Sequence, residues 1–298
     1  MKWTNGLPRE YYKKYKRVHC ADNWFEVYQL PHNVYAITEP MHFQEVNSFL
    51  IIGSDKALLL DTGGGIGDIT KVVKDLYKGE VFVVNSHFHF DHIAQNCKFK
   101  DVFIYSEEHA LEQLRKGYSN AEMAFNISEE MFAINPPDSF DRNTFFIPAV
   151  NPHTFEEGHL FNLGDRELKV IHTPGHTADS IMLIDQAHKI LFTGDSFYKG
   201  ALYLHFNSEM YGYSNFKDFE KSMIKIIGML DEIDFLYCSH NDIIVEPDIL
   251  LKVKSAIDQI NDDTSNCNSR EVGLHSYGSP DDNLRRFDFE EFTIVVNI

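Results

Sequence analysis

An apolar run, Val81-Phe82-Val83-Val84, passes directly into Asn85-Ser86-His87-Phe88-His89-Phe90-Asp91-His92. A short continuous apolar run has the pattern of a buried strand. Three histidines and a carboxylate at its end are costly to bury, by several kcal/mol, unless something pairs with them. The fold therefore has to bring this corner around a cation. In extended backbone, residues two apart share a face, so His87, His89 and Asp91 are expected to converge while Phe88 and Phe90 face the core. His92 joins them once the chain turns. Imidazole and carboxylate donors suit zinc, manganese or iron, and no thiolate is present to bias the choice.

The rest of the chain supplies a scaffold of mixed type. Phe25–Leu30, Val34–Thr38, Ser48–Ile52 and Ala57–Leu60 alternate or run apolar like strands, and a helical period follows over Ile66–Tyr77. In the second half, Glu167–His172, Ser180–Ile184, Lys189–Thr193 and Phe235–Cys238 look like strands. Asn215 caps one expected helix and Pro247 opens another. A strand-like run, Phe292–Val296, closes the chain after a polar, loop-like tail from Asn261 to Asp282. Strands followed by strand–helix–strand units, twice, predict a layered α/β sandwich. No Ser/Gly/Pro-rich linker divides it. The expectation is one domain over residues 1–298, with a core from about 24 to 260, an aromatic-rich insertion at 118–150 and a C-terminal extension at 261–298.

The cluster matches the HxHxDH signature, and on it the sequence resembles the metallo-β-lactamase superfamily. Leu59-Leu60-Asp61-Thr62-Gly63, Thr173-Pro174-Gly175-His176-Thr177, Phe192-Thr193-Gly194-Asp195-Ser196 and Tyr237-Cys238-Ser239-His240-Asn241 follow in the family's order. The resemblance implies an αββα sandwich of two mixed β-sheets flanked by helices. It implies one metal on His87, His89 and His176, a second on Asp91, His92 and His240, and Asp195 bridging. Two divalent ions, zinc first with manganese or iron as alternatives, would lower the pKa of a shared water to about 7. The resulting hydroxide attacks a carbonyl carbon, with Asp91 steering it. Asp61 is expected behind the metal loop, hydrogen-bonded to it. Tyr198, three residues after Asp195, is similar to a lactonase tyrosine that could stabilise an oxyanion, or it is a packing residue.

His89 stands where diiron members usually carry glutamate, and Asp195 where many β-lactamases carry cysteine. The resemblance therefore points to the hydrolase branch of glyoxalase II, lactonases and acyl-CoA thioesterases, acting on an ester, thioester or lactone. Rivals are a mononuclear iron, persulfide-dioxygenase-like oxidoreductase and a phosphodiesterase or nuclease of the same superfamily. The net charge of −18 argues against nucleic acid as substrate.

Cys20, Cys97, Cys238 and Cys267 form no CxxC pair, and the N-terminus lacks an apolar signal region, so a cytoplasmic setting is expected. No stretch approaches the roughly 20 apolar residues of a membrane span. The Gly63-Gly64-Gly65-Ile66-Gly67 run lacks phosphate-loop spacing and reads as a tight turn. His42 and His205 lie in segments that could border the site. Residues 118–150 could wall a channel for an apolar acyl group, pack on the sandwich, or make the subunit contact of a homodimer. Lys13, Lys14, Lys16 and Arg17, with Arg285 and Arg286, are the basic clusters, and their default reading is solvated charge.

Overall fold

The computed structural model describes residues 3–262, 269–270 and 284–297. In chain order the strands are β1 (Lys16–Val18), β2 (Glu26–Leu30), β3 (Val34–Thr38), β4 (Asn47–Ile52), β5 (Lys56–Leu60), β6 (Glu80–Val84), β7 (Val102–Tyr105) and β8 (His153–Phe155). They continue as β9 (Leu160–Asn162), β10 (Glu167–His172), β11 (Ile181–Asp185), β12 (Ile190–Phe192), β13 (Ala201–Leu204), β14 (Asn207–Ser208) and β15 (Gly212–Tyr213). The last are β16 (Phe235–Tyr237), β17 (Ile244–Val245), β18 (Ser269–Arg270), β19 (Leu284–Asp288) and β20 (Thr293–Asn297). The helices are α1 (Ile69–Leu76), α2 (Phe90–Ile93), α3 (Glu108–Lys116), α4 (Asn120–Met123), α5 (Phe216–Ile227) and α6 (Ile249–Asn261).

Strands β1 to β8 form one sheet in sequence order, antiparallel through β5 and parallel from β5 to β8. The second sheet runs β17-β16-β12-β11-β10-β9. Both are mixed, as expected. Their inner faces meet in one apolar layer, where Val34, Phe49, Leu58 and Val84 pack against Val170, Leu183, Phe192 and Tyr237. Phe192 stacks edge-on to both Phe49 and Tyr237, each at 5.3 Å between centroids. Truncating such a side chain to alanine costs about 3–5 kcal/mol.

The outer face of the first sheet is covered by α1 through Ile69, Val72 and Val73. The outer face of the second is covered by α5 and α6 through Phe219, Met223, Leu250 and Val253. The layering is helix–sheet–sheet–helix. Side-chain caps set the starts of α1 and α5. Asp68 accepts from Thr70 N–H at 3.1 Å, which sets the start of α1 after Ile66 rather than at it. Asn215 accepts from Lys217 and Asp218 N–H at 3.0 and 3.1 Å.

Some of the chain differs from the sequence expectation. Asn261 ends α6 and Ser269–Arg270 pair with β19, so these parts of the tail are not loop. The remainder of that tail, with Cys267, lies outside the described residues. A further four-stranded sheet, β13-β20-β19-β18, sits over the second sheet, and its Leu202, Leu204, Ile294 and Val296 join the core under α5 and α6.

Because β5 and β6 run parallel, as do β12 and β16, their C-terminal ends share one edge of the sandwich. Asp61, His87, Asp195 and His240 all follow the ends of these four strands.

Candidate metal centre

Strand β6 stops at Val84, and the ligand-rich segment is not extended. Ser86 and His87 lie in a bend, His89 is the N-cap of α2, and Asp91 and His92 lie within that single helical turn. Convergence by strand alternation is therefore corrected: a bend and a helix turn bring the four side chains together. The cause is Asp61, fully buried at a left-handed φ of 65° just after β5. Its carboxylate accepts from Ser86 N–H and Ser86 O–H, both at 2.7 Å, which pulls the chain out of the strand ladder. Phe88 and Phe90 do face an apolar core, against Ile93, Ile104 and Leu114.

Three other loops bring in the remaining side chains. Gly175 lets the His176 loop approach α5 closely, since a Cβ there would lie 2.5 Å from Phe219. Asp195 sits in a helical turn after β12. The His240 loop is tied to the first sheet by Asn47, whose amide donates to the Cys238 carbonyl at 2.9 Å.

The seven side chains are all buried and form overlapping groups able to hold a metal ion: His87, His89 and His176; His87, His92 and Asp195; and Asp91, His92 and His240. Asp195 stands between them. Its Oδ2 lies 3.5 Å from His176 Nε2 and 3.9 Å from His87 Nε2. Its Oδ1 lies 3.0 Å from His240 Nε2 and 3.2 Å from His92 Nε2. Asp91 Oδ2 is 3.8 Å from both His92 and His240 Nε2.

The outward nitrogens reveal where the protons are. His89 Nε2 donates to the Tyr211 carbonyl at 2.8 Å, His176 Nδ1 to the Tyr203 carbonyl at 2.8 Å, and His240 Nδ1 to the Gln44 carbonyl at 2.6 Å. His92 Nδ1 donates to Asp61 at 2.8 Å. Carbonyls only accept, so the inward nitrogens of His89 and His176 present lone pairs as long as neither ring takes a second proton. Yet His89 Nδ1 and His176 Nε2 face each other at 3.0 Å, and His92 Nε2 and His240 Nε2 at 3.2 Å. Burial pushes the His89 pKa well down and that of His176 to about 4, so neither carries a second proton at neutral pH. Two facing lone pairs repel unless a cation lies between them. His87 Nε2 is likewise buried without a hydrogen-bond partner. The donor set fits metal ions. At His92 and His240 burial again lowers the pKa, but the carboxylates of Asp195 and Asp91 (and, for His92, Asp61) outweigh it and raise both.

A pocket opens over this cluster, lined by Gln44, Phe90, Tyr198, Tyr203, Phe206 and Tyr211 with five of the polar residues. Residues 118–150 are absent from this described lining. The channel-wall expectation for them is corrected: Tyr118, Met123, Ile127 and Ile147 pack beside the metal loop, against Phe88 and Phe90. Tyr203 and Phe206 line the pocket, whereas Leu202 and Leu204 turn into the core. The Tyr198 ring lies 4.8 Å from that of His240, and its hydroxyl donates to the Ala201 carbonyl at 2.5 Å.

His42 and His205 do not line the pocket. His42 Nε2 donates to the Asn126 carbonyl at 2.9 Å, and His205 is buried beside Phe206. Gly63 has φ 71°, and a Cβ there would meet Glu39 Oε1 at 2.2 Å, as suits a tight turn. Among the basic residues, Lys14 pairs with Asp242 and Arg17 with Glu26, away from the pocket. Sequence reasoning missed Glu39, whose carboxyl burial pushes up to about 7, and the carbonyls of Gln44, Tyr203 and Tyr211. Backbone acceptors have no residue signature, so no sequence signal could have found those three.

The sequence profile of the metallo-beta-lactamase superfamily matches residues 43–237. The acyl-coenzyme A thioesterase MBLAC2 of Gallus gallus is 30% identical over 223 residues, covering 71% of this chain and 78% of the relative. The hydroxyacylglutathione hydrolase GloC of Haemophilus influenzae is 22% identical over 165 residues, covering 54% and 70%. Among solved structures, a metallo-beta-lactamase family protein from Thermus thermophilus superposes with a TM-score of 0.56 at 18% identity, covering 83% of this chain and 87% of that one.

Proposed function

The chain belongs to the metallo-beta-lactamase superfamily, and from that premise we propose that it is a binuclear metal-dependent hydrolase cleaving a thioester, with esters and lactones as neighbouring substrate classes. The observation that carries this reading is the facing of His89 Nδ1 and His176 Nε2 at 3.0 Å, each with its proton committed elsewhere. One cation would take His87, His89 and His176, the other Asp91, His92 and His240, with Asp195 shared. Zinc suits the donors, and manganese or iron would also accept them. Bound there, two divalent ions supply Lewis-acid polarisation of a carbonyl and acidify a water to a pKa of about 7.

The chain's own residues do the rest. Asp195 turns one oxygen toward each half of the cluster. Asp91, buried beside His92 and His240, is placed to take a proton from the attacking water. Asp61 and the three carbonyls hold the rings in the ligating tautomer. Phe90, Tyr203, Phe206 and Tyr211 exclude bulk water from the reacting bond, which strengthens every charge interaction inside. Tyr198 closes the wall beside His240, with its proton spent on Ala201.

No lysine or arginine lines the pocket among the described residues, which favours an uncharged acyl arm. The similarity to relatives named acyl-coenzyme A thioesterase supports the same choice. We place the catalytic unit across residues 1–298 and its setting in the cytoplasm, where Cys20, Cys97 and Cys238 stay thiols.

The test is elemental analysis of protein purified without added metal, followed by kcat/KM across thioesters with acyl chains of two to twelve carbons. Two divalent ions per chain are expected, with kcat/KM rising up to about fourfold per methylene until the pocket is full. A single iron with persulfide turnover, or a profile flat in chain length, would overturn the corresponding part.

A further inference from the structure

The insertion that fails to line the pocket is tied by hydrogen bonds to one metal ligand. Tyr118 is fully enclosed, and its hydroxyl lies 3.2 Å from the Phe88 carbonyl and 3.3 Å from the Met210 carbonyl. It therefore bridges the metal loop to the loop that carries Tyr211. Eight residues on, the Asn126 side-chain amide donates to the Tyr211 hydroxyl at 2.9 Å, while the Asn126 backbone carbonyl accepts from His42 Nε2 at 2.9 Å. The Tyr211 carbonyl in turn accepts from His89 Nε2 at 2.8 Å. His42, Asn126, Tyr211 and His89 are thus linked in series through both the backbone and the side chains of Asn126 and Tyr211, and each is at most 4% exposed.

Its end point is specific. Of the five histidines in the cluster, His89 alone turns Nδ1 inward, and it does so because Nε2 is held by Tyr211. If the Tyr211 carbonyl shifted, no other hydrogen bond among the described residues would hold His89 Nε2, and the ring would be oriented by packing against Phe88 and Phe206 alone. The other half of the cluster is held differently. His92 rests on Asp61, and His240 on Gln44, both on the first sheet's side of the site and outside this hydrogen-bond chain.

We infer that Tyr118 and Asn126 are positioning residues, a brace that acts through the Met210–Tyr211 backbone to hold His89 as an Nδ1 ligand of the His87–His89–His176 cation. The inference rests on the metal-holding reading above. It gives the aromatic insertion a role in metal selectivity at one half of the site, and it puts His42 to use at a distance.

Tyr118→Phe removes the hydroxyl and keeps the ring volume. Asn126→Leu removes the donor to Tyr211. Asn120→Ala is the control, since Asn120 donates only to the Arg142 and Phe145 carbonyls within the same insertion. The experiment is chelator competition on the zinc-loaded and cobalt-loaded full chain, with cobalt ligand-field spectra to distinguish the two halves. Thermal melting of each variant accompanies it. Losing an outer partner of a metal-bound histidine typically costs 10–100-fold in affinity. Tyr118→Phe and Asn126→Leu act one step behind that partner, so each is expected to weaken one cation by the low end of that range, about tenfold, leaving the second cation and the Asn120→Ala control unchanged. Equal weakening of both cations, or none in a wild type that binds two, overturns this inference alone. A wild type that takes up no metal overturns it together with the reading beneath it.

Discussion

Replacing Asp61 by asparagine changes a single atom and tests how the proton on His92 is placed. The carboxylate accepts three bonds, from Ser86 N–H, Ser86 O–H and His92 Nδ1–H, at 2.7, 2.7 and 2.8 Å. If the asparagine keeps its oxygen on Ser86 N–H, its amide nitrogen faces His92 Nδ1–H, donor against donor. Either that proton is stranded, or it moves to Nε2 and covers the lone pair the cluster needs. A stranded buried donor costs about 1–3 kcal/mol, and the lost bond to a charged acceptor was contributing a similar amount. The Asp91–His92–His240 cation should then bind about 10–100-fold more weakly, or about 1.4–2.7 kcal/mol. The other cation should weaken less, because His89 and His176 rest on the Tyr211 and Tyr203 carbonyls and His87 feels Asp61 only through Ser86 Oγ, 3.1 Å from its Nδ1. Chelator competition resolves the two steps, and urea unfolding of the metal-free chain reads the packing cost separately. Two cations held at wild-type affinity in Asp61→Asn would refute the tautomer argument.

Three further outcomes are expected. Asp195→Ala removes the carboxylate shared by both halves, so metal content should fall to one ion or fewer per chain and turnover should vanish; elemental analysis retaining two ions would contradict the bridge. Tyr198→Phe should keep both metals and change kcat less than about tenfold, because the hydroxyl proton already serves Ala201; a loss of the 100-fold or more seen on removing an oxyanion donor would return the phenol to catalysis. Asp179 is buried with its Oδ2 unpartnered, and burial raises its pKa from 3.8 to about 7. The folded chain there holds a proton that the unfolded chain has released, so stability is present below 3.8 and lost as pH rises to about 7. Asp179→Asn should flatten that part of the melting-temperature profile, and an unaltered slope would show that another group sets it.

The residues of the buried cluster were legible because burying so many polar groups beside an apolar strand has few explanations. Their backbone was not. Alternation along a strand and a bend followed by a helical turn both bring His87, His89 and Asp91 together, and only the Asp61 contact to Ser86 decides between them. The strands Val34–Thr38 and Glu167–His172 appear at the predicted positions. Val34–Thr38 is apolar and rich in β-branched residues, and Glu167–His172 alternates at its start, so neither shows a helical period. The strand Val102–Tyr105 and helix α3 were missed, since α3 is mostly polar and buries only Ala110, Gln113 and Leu114. Residues 118–150 were aromatic enough to attract a pocket role, yet aromatic content does not say which side a segment packs on. Their contact with Phe88 settles that, and it depends on pairing between distant parts of the chain.

Strand β13 has a single partner among the described residues, β20, with Ala201 opposite Thr293 and Leu204 opposite Val296. Tyr203 on β13 and Phe206 just beyond it are pocket walls. A ribosome therefore releases every proposed ligand, through His240, well before it makes the strand that fixes those walls. Loops closed over so long a separation form late. Changes in β20 can therefore move the Tyr203 and Phe206 walls of the pocket while every side chain of the buried cluster stays as it is.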